Sequence, residues 1–342
     1  TVRGLAAHGP LGRGKGPFVD AWQDPDMSGS NATHDTQPRT SRAATPRATL
    51  VTGCSSGIGR AIARRLAAAD WPVYASARRI EAIEDLADAG CQILPLDVTD
   101  AAARRAAIAR IEAEHGAVGA LVNNAGYGQH GALEETPLAA LREQFETNVF
   151  APIALCQAAL PAMRRAGAGR IVNVTSMGGR LSFPGGGAYH GSKYALEAMS
   201  DVLRFEVAGF GIDVVVIEPG PTTSAFGEAS TRTLDRLERA ADGAYDTFDE
   251  AVRNALQATF EDPPDGASTT EEVAETVWEA LSSPAPEPRV VVGGLARQLI
   301  ATREASSAEA WDEVVAGMYP RPSPQDLPVG KREDEAETKD GD

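Results

Sequence analysis

Short apolar runs of strand length alternate with Ala-rich stretches of helical length through most of this chain, and that alternation limits the fold more than any other feature. The series opens with ATLVT at 48–52, a helical pattern near 58–69, PVYAS at 72–76, a helical pattern near 80–89 and QILPL at 92–96, which is a βαβαβ order. It continues through a helix near 100–115, ALVNN at 120–124, two helical stretches over 137–166, RIVNVTS at 170–176, a helix over 188–208 and IDVVVIEP at 212–219. Near-continuous apolar strands separated by helices predict an α/β domain whose parallel sheet, of about seven strands, is covered by helices on both faces. From 222 to about 266 the pattern turns irregular and polar, and a helix near 269–282, a last strand at 289–293 and helices near 295–317 follow.

The ends of the chain read differently. Residues 1–46 are rich in Gly, Pro, Ser, Thr and Asp without apolar periodicity, so burial there cannot offset the entropy of ordering, and the segment is expected to be disordered. Met27 is the first methionine of a chain that opens on Thr1, which leaves open whether residues 1–26 belong to the native protein. The tail 320–342, ending KREDEAETKDGD, reads as solvated. One domain over 47–319, with 222–266 as its lid region, is the organisation this predicts. With 48 acidic against 32 basic side chains the net charge is −16, which argues against a nucleic-acid partner, because that surface has little to offer a phosphate backbone. The three cysteines, Cys54, Cys91 and Cys156, have neither zinc-site spacing nor an even count, and no apolar segment of membrane-spanning length or secretory leader is evident. A cytoplasmic protein with no metal site is expected.

Where the first strand ends, TGCSSGIG runs into a helix, the context that a dinucleotide fingerprint requires. Gly53 permits the tight turn, Gly57 lets the backbone approach a pyrophosphate, and Gly59 allows close helix–strand packing, while Ser55, Ser56 and Ile58 lie in the same turn. The fold class is therefore a Rossmann-type doubly wound sheet. At the end of the second strand ASARR places Ala77 and Arg78 where an NAD-binding chain would carry an acid. A guanidinium there suits a 2′-phosphate, so NADP(H) is the preferred cofactor and NAD(H) the alternative.

Tyr189 and Lys193 stand four apart in a helical stretch and so share a face. An ammonium near a phenol favours the phenolate, which predicts a lowered Tyr189 pKa and a usable acid/base. Ser176 closes the fifth strand at its carboxyl end, where open α/β sheets bind ligands. His190 is next to Tyr189 but, as an adjacent helical residue, should point elsewhere; His130 is a candidate cleft residue or a solvated loop histidine; Cys54 reads as a small packing residue.

TGCSSGIG, NNAG at 123–126, Asn148, Ser176, Tyr189-x-x-x-Lys193 and Pro219-Gly220 together resemble the short-chain dehydrogenase/reductases over roughly residues 47–260, most of all the 17β-hydroxysteroid and retinol dehydrogenase-like members. The resemblance implies that Tyr189 exchanges a proton with the substrate oxygen and that Ser176 holds that oxygen. It implies that Lys193 meets the nicotinamide ribose and Asn148 anchors a proton-relaying water. Asp97 and Val98 would meet the adenine, Asn124, Ala125 and Gly126 would shape the cofactor cleft, and Pro219, Gly220 and Ser224 would carry backbone and a hydroxyl towards the nicotinamide amide. It also implies a homodimer or homotetramer formed through helices near 137–166 and 188–208.

The activity so read is hydride transfer between nicotinamide and a carbonyl or secondary alcohol, in the reductive direction if NADPH is used. Phe226, Leu234, Leu237, Tyr245 and Phe248 in the lid region suggest an apolar substrate: a steroid, a retinoid, a fatty or polyketide carbonyl, or a small ketone. An NADP-binding sensor or scaffold without turnover is the alternative, against which the set Ser176, Tyr189 and Lys193 counts.

Overall fold

The computed structural model describes residues 48–238, 243–261, 263–323 and 326. The expected disordered segment 1–46 lies outside the described residues, as does the tail 320–342 apart from residues 320–323 and 326. Seven strands form one parallel sheet: β1 (Thr49–Val51), β2 (Val73–Ala77), β3 (Gln92–Pro95), β4 (Ala120–Asn123), β5 (Gly169–Val174), β6 (Ile212–Pro219) and β7 (Arg289–Val292). Their order across the sheet is β3-β2-β1-β4-β5-β6-β7. The helices among the described residues are α1 (Gly57–Ala67), α2 (Glu84–Asp88), α3 (Ala101–His115), α4 (Leu138–Phe145), α5 (Ala151–Ala166), α6 (Gly187–Ala208), α7 (Phe226–Asp235), α8 (Asp246–Glu261), α9 (Thr270–Ser282), α10 (Gly294–Ala305) and α11 (Ala308–Ala316).

The strand runs are apolar on both sides because both sides are covered. One face packs Ile62 and Leu66 of α1 and Val273, Val277 and Leu281 of α9 against Val51, Val122 and Val215. The other packs Ile108 and Ile111 of α3 and Leu155 and Met163 of α5 against Leu50, Leu121 and Val214. Each such fully buried side chain contributes roughly 1.5–3 kcal/mol relative to exposure. Arg170 of β5 reaches through the edge of this packing to donate to the carbonyls of Ala280, Leu281 and Ser283, each at 2.8 Å, and to Asp213 at 2.6 Å. A guanidinium there satisfies carbonyls that the end of α9 leaves without helical donors.

Two expectations need correction and one gains a detail. The stretch near 80–89 is a 3₁₀ turn at Ile80–Ala82 followed by the one-and-a-half-turn α2, because Ile83 leaves helical geometry between them at ψ 12°. The two stretches over 137–166 are helices, as expected, and are joined by a π turn at Glu146–Phe150 that contains Asn148. The region 222–266 is not irregular: it contains α7 and α8, whose apolar faces meet each other and the loop after β4 through Ala132, Leu234, Phe248 and Val252. Strand order reverses between β1 and β4, so the loops leaving their carboxyl ends diverge and open a crevice.

Candidate active site

The turn from β1 to α1 forms the floor of that crevice. Gly53 sits at φ +75°, and a Cβ on it would come within 2.8 Å of the Ala125 Cα. On Gly59 a Cβ would lie 2.4 Å from the Gly53 carbonyl oxygen, so the helix can approach the strand this closely only without a side chain. Asn124 ties the turn to the loop after β4, donating from Nδ2 to Thr52 O at 2.9 Å, while Thr52 Oγ1 accepts from the Asn124 and Ala125 amides at 3.0 Å each. At the start of α1, Ser56 is extended and makes no side-chain cap, and the first turn carries no acid. The first amides of α1 are thus left without a side-chain acceptor at a helix start, which fits the pyrophosphate of a dinucleotide.

Gly53, Ser56, Gly59, Asn124 and Ala125 line one cleft of about 1610 Å³, together with Ser55, Gly57, Ile58, Arg78, Asp97, Val98, Gly126, Pro219, Gly220 and Ser224. Arg78 stands exposed at the end of β2 and takes part in no ion pair found among the described residues. Asp97 lines the cleft and also closes a turn, with Oδ1 accepting from the Thr99 amide at 2.9 Å and hydroxyl at 2.7 Å, which holds its carboxyl below the ordinary value. Ser224 packs against Gly57, within 3.1 Å of where its Cβ would be, and its Oγ accepts from the Phe226 amide at the head of α7.

Ser176, Tyr189 and Lys193 converge on the same cleft from β5 and α6. Ser176 stands two residues past β5 in extended backbone, its Oγ accepting from the Gly178 amide at 3.0 Å and donating to Pro219 O at 3.4 Å. Lys193 Nζ lies 5.8 Å from the Tyr189 ring centre and donates to Val174 O at 3.0 Å. Burial pushes the Tyr189 phenol up to about 12, Ser176 offsetting only part of it, and pushes Lys193 down to about 8 against the pull of Glu197. The expectation of a lowered phenol is therefore corrected: the i, i+4 spacing delivers proximity, but taking the phenol out of water outweighs it. Asn148 does not line the cleft. It is buried in the π turn, donating to Tyr127 O at 3.0 Å and Ser192 Oγ at 3.1 Å and accepting from the Tyr127 amide.

Of the two readings of His130, the structure supports the cleft residue. His130 is buried, lines the cleft and stacks on Tyr189 with ring centres 5.9 Å apart. Burial, with His190 adding to it and the Gly128 backbone partly opposing, pushes it down to about 4, so it is no solvated loop histidine. His190 donates Nδ1–H to Gly178 O at 3.0 Å and so braces the segment after Ser176, although its ring also contacts Tyr189. Beneath Lys193, Glu197 and the fully buried Glu218 both pair with Arg289 of β7, and Thr175 donates to Glu197. With two buried carboxylates against one guanidinium, burial pushes Glu197 up to about 7. Of the lid residues, Phe226 and Leu237 face the cleft, whereas Leu234 and Phe248 form the lid's own core. Cys54 is buried against Val51, its thiol pushed up to about 12 by burial.

Residues 47–235 match the short chain dehydrogenase family model. The chain belongs to that family. It is 36% identical over 255 residues to rat estradiol 17-beta-dehydrogenase 1, covering 70% of this chain and 72% of that one. It is 33% identical over 256 residues to the NADPH-dependent 3-dehydrocapnine reductase of Ornithobacterium rhinotracheale, covering 72% of this chain and 88% of the relative. A short-chain dehydrogenase structure from Streptomyces avermitilis superposes with a TM-score of 0.65 at 38% identity, over 79% of this chain and 98% of that one. The short-chain dehydrogenase is accordingly an NAD(P)-dependent oxidoreductase acting on alcohol or carbonyl groups. No helix among its described residues is long and apolar enough to cross a membrane.

Proposed function

We propose that this chain is an NADPH-preferring reductase of apolar ketones in which Tyr189 is the proton donor. The convergence of Ser176, Tyr189 and Lys193 on one cleft whose far end carries Arg78 is the observation that supports it. The nicotinamide, when bound, supplies the hydride. The phenol, protonated at neutral pH and made a weaker acid still by burial, would give its proton to the oxygen as negative charge develops there. Ser176 Oγ would turn its hydrogen from the Pro219 carbonyl to that same oxygen and so fix and polarise the carbonyl. Lys193 would hold the ribose and, as a nearby cation, stabilise the phenolate left behind, while Asn148 keeps Tyr127 and Ser192 in place behind it.

At the other end of the cleft, Gly53 through Gly59 would take the pyrophosphate, Arg78 the 2′-phosphate, and Asp97 and Val98 the adenine. Asn124, Ala125 and Gly126 would form the wall, with Pro219, Gly220 and Ser224 towards the amide. Phe226 and Leu237 on the lid side favour an apolar substrate body. We also propose a homo-oligomer paired through α4–α5 and α6, where Phe150, Val202 and Phe205 are exposed, Phe205 to 87%.

The test is NADPH and NADH oxidation at 340 nm over steroid, retinoid, aliphatic and aromatic ketones, with Tyr189→Phe in parallel. Turnover that favours NADPH and vanishes in the variant is expected. Equal kcat/KM for the two cofactors overturns the role of Arg78, and unchanged activity in the variant overturns that of Tyr189.

A further inference from the structure

Part of the cleft wall comes from the chain beyond α11, and no role assigned above uses it: Met318 and Tyr319 both line the cleft. Their amides donate to Val315 O at 2.9 and 3.0 Å, so the chain runs on for a turn past Gly317 until Pro320, which has no amide to continue it. The helix that presents them is anchored. Trp311 is buried, its indole Nε1–H donates to Ser182 O at 3.4 Å, and its ring centre lies 5.9 Å from that of Phe183. Half-buried Tyr319 then joins two parts of the structure. Its ring centre lies 6.5 Å from that of Phe183, in the segment after β5, and it packs against the lid core of Leu234, Phe248 and Val252.

A row of rings leads from Tyr189 to this residue. Ring centres step from Tyr189 to His190 at 5.5 Å, from His190 to Phe183 at 6.2 Å and from Phe183 to Tyr319 at 6.5 Å, and all four residues line the cleft. Such a row offers an apolar chain a continuous surface that starts at the phenol. Val252 and Leu256 of α8 and Leu299 of α10 line the same cleft. Each methylene that leaves water there adds up to about fourfold in affinity. The row also has an end, because Tyr319 is held between Phe183 and the lid core and cannot turn aside without losing contact with one of them. Burial raises its phenol above the ordinary value, so the residue meets a ligand as a neutral ring.

We infer that Tyr319 is a specificity-determining residue that stops the apolar chain of the substrate, so that the enzyme takes linear methyl ketones with rising preference up to a fixed length and rejects longer ones. The inference rests on the reading of the cleft as the site of an apolar ketone that Tyr189 protonates.

The experiment measures kcat/KM with NADPH for 2-alkanones of six to sixteen carbons in wild type, Tyr319→Ala, Tyr319→Trp, Tyr319→Phe and Tyr189→Phe. In wild type the value is expected to rise with chain length and then to drop by roughly tenfold or more within two added carbons. The drop should move to longer ketones in Tyr319→Ala and to shorter ones in Tyr319→Trp, and should keep its place in Tyr319→Phe, which retains the ring. A loosened lid does not move the drop in opposite directions, and a Tm for each variant checks its fold; should Tyr319→Ala fail to fold, the shift in Tyr319→Trp decides. No drop in wild type, or a drop that stays at the wild-type length in the Ala and Trp variants, overturns the inference. A drop displaced as far in Tyr319→Phe as in Tyr319→Ala also overturns it, because the hydroxyl rather than the ring is then responsible. Turnover retained in Tyr189→Phe instead overturns the proton-donor reading and is recognised separately. If none of the ketones is turned over, calorimetric Kd values for the same series with NADP+ present are expected to show the same drop. Kd values that improve steadily to sixteen carbons then overturn the inference, and no binding by any of the ketones overturns the apolar-ketone reading beneath it.

Discussion

The two ends of the cleft are built by opposite means. At the β1–α1 end the wall is backbone: glycines at positions where a Cβ would strike the main chain, and amides at a helix start. At the lid end the wall is side chains, with the Tyr189 ring touched by His130, His190 and Phe226. A backbone wall tolerates no added atom and reads little of its ligand beyond charge and shape. A wall of side chains can be exchanged one residue at a time, so the same scaffold can hold one cofactor while its substrate is re-specified.

The most forceful way to break the comparison is Tyr189→Phe, which removes one oxygen from the lid end and nothing from the other. We expect kcat to fall by about 10²–10⁴-fold, the usual worth of a positioned acid, with the Kd for NADPH nearly unchanged in a fluorescence titration. Parallel loss of cofactor affinity would show that the two ends are not separable. Gly59→Ala should act in the reverse sense. Its methyl would meet the Gly53 carbonyl at 2.4 Å, and overpacking against backbone costs about 1–3 kcal/mol, readable as a lower urea midpoint with weakened NADPH binding. Wild-type stability there would mean that α1 can slide. Arg78→Ser should be milder, cutting the NADPH-to-NADH ratio of kcat/KM by roughly tenfold, the worth of a charge-assisted bond at an exposed site.

The smallest effect is a response to pH of opposite sign from two groups near Tyr189 and Lys193, Glu197 beneath and His130 in the wall. Glu197 keeps its proton up to about pH 7 in the fold but releases it near 4.5 when unfolded, so folding takes up a proton in that window and stability falls as pH rises through it. His130 does the opposite: neutral in the fold down to about 4 and protonated below 6.5 when unfolded, it makes stability fall as pH drops from 6.5 towards 4. Between about pH 4.5 and 6.5 the two slopes oppose each other, each at most about 1.4 kcal/mol per pH unit. Glu197→Gln should therefore steepen the rise of Tm with pH in that range, and His130→Leu should flatten or invert it. A common change of slope in both variants would contradict the assignment of either group.

How much of this the residues announce beforehand follows the same division. The glycine turn, the strand runs and the Tyr189–Lys193 spacing are local, and the structure places all three on one cleft much as their periodicity and spacing require. Over the lid the pattern looks irregular because α7 and α8 are two amphipathic helices with polar outer faces that bury only a few residues, Leu234, Phe248 and Val252 among them. His130 sits in a loop, where no period reports burial; its burial depends on Leu237 and Thr233, about a hundred residues downstream. The direction of the Tyr189 shift failed for a related reason. Spacing encodes which groups meet, whereas desolvation depends on everything else that meets them, and the π turn at Glu146–Phe150 shows no residue pattern we can connect to it.

The pairing of Arg289 with Glu197 and Glu218 has a consequence for the order in which the molecule is made. Both carboxylates belong to elements beneath Ser176 and Lys193, yet their guanidinium arrives on the last strand, some seventy residues after Glu218. Until β7 is made, that guanidinium is absent from both pairs, and β6 is the edge strand of the sheet. The ion pairs beneath Ser176 and Lys193 are therefore completed only when β7 docks at the sheet edge. The packing beneath Ser176 and Lys193 thus takes its last charge from one of the final segments of the chain to be synthesised.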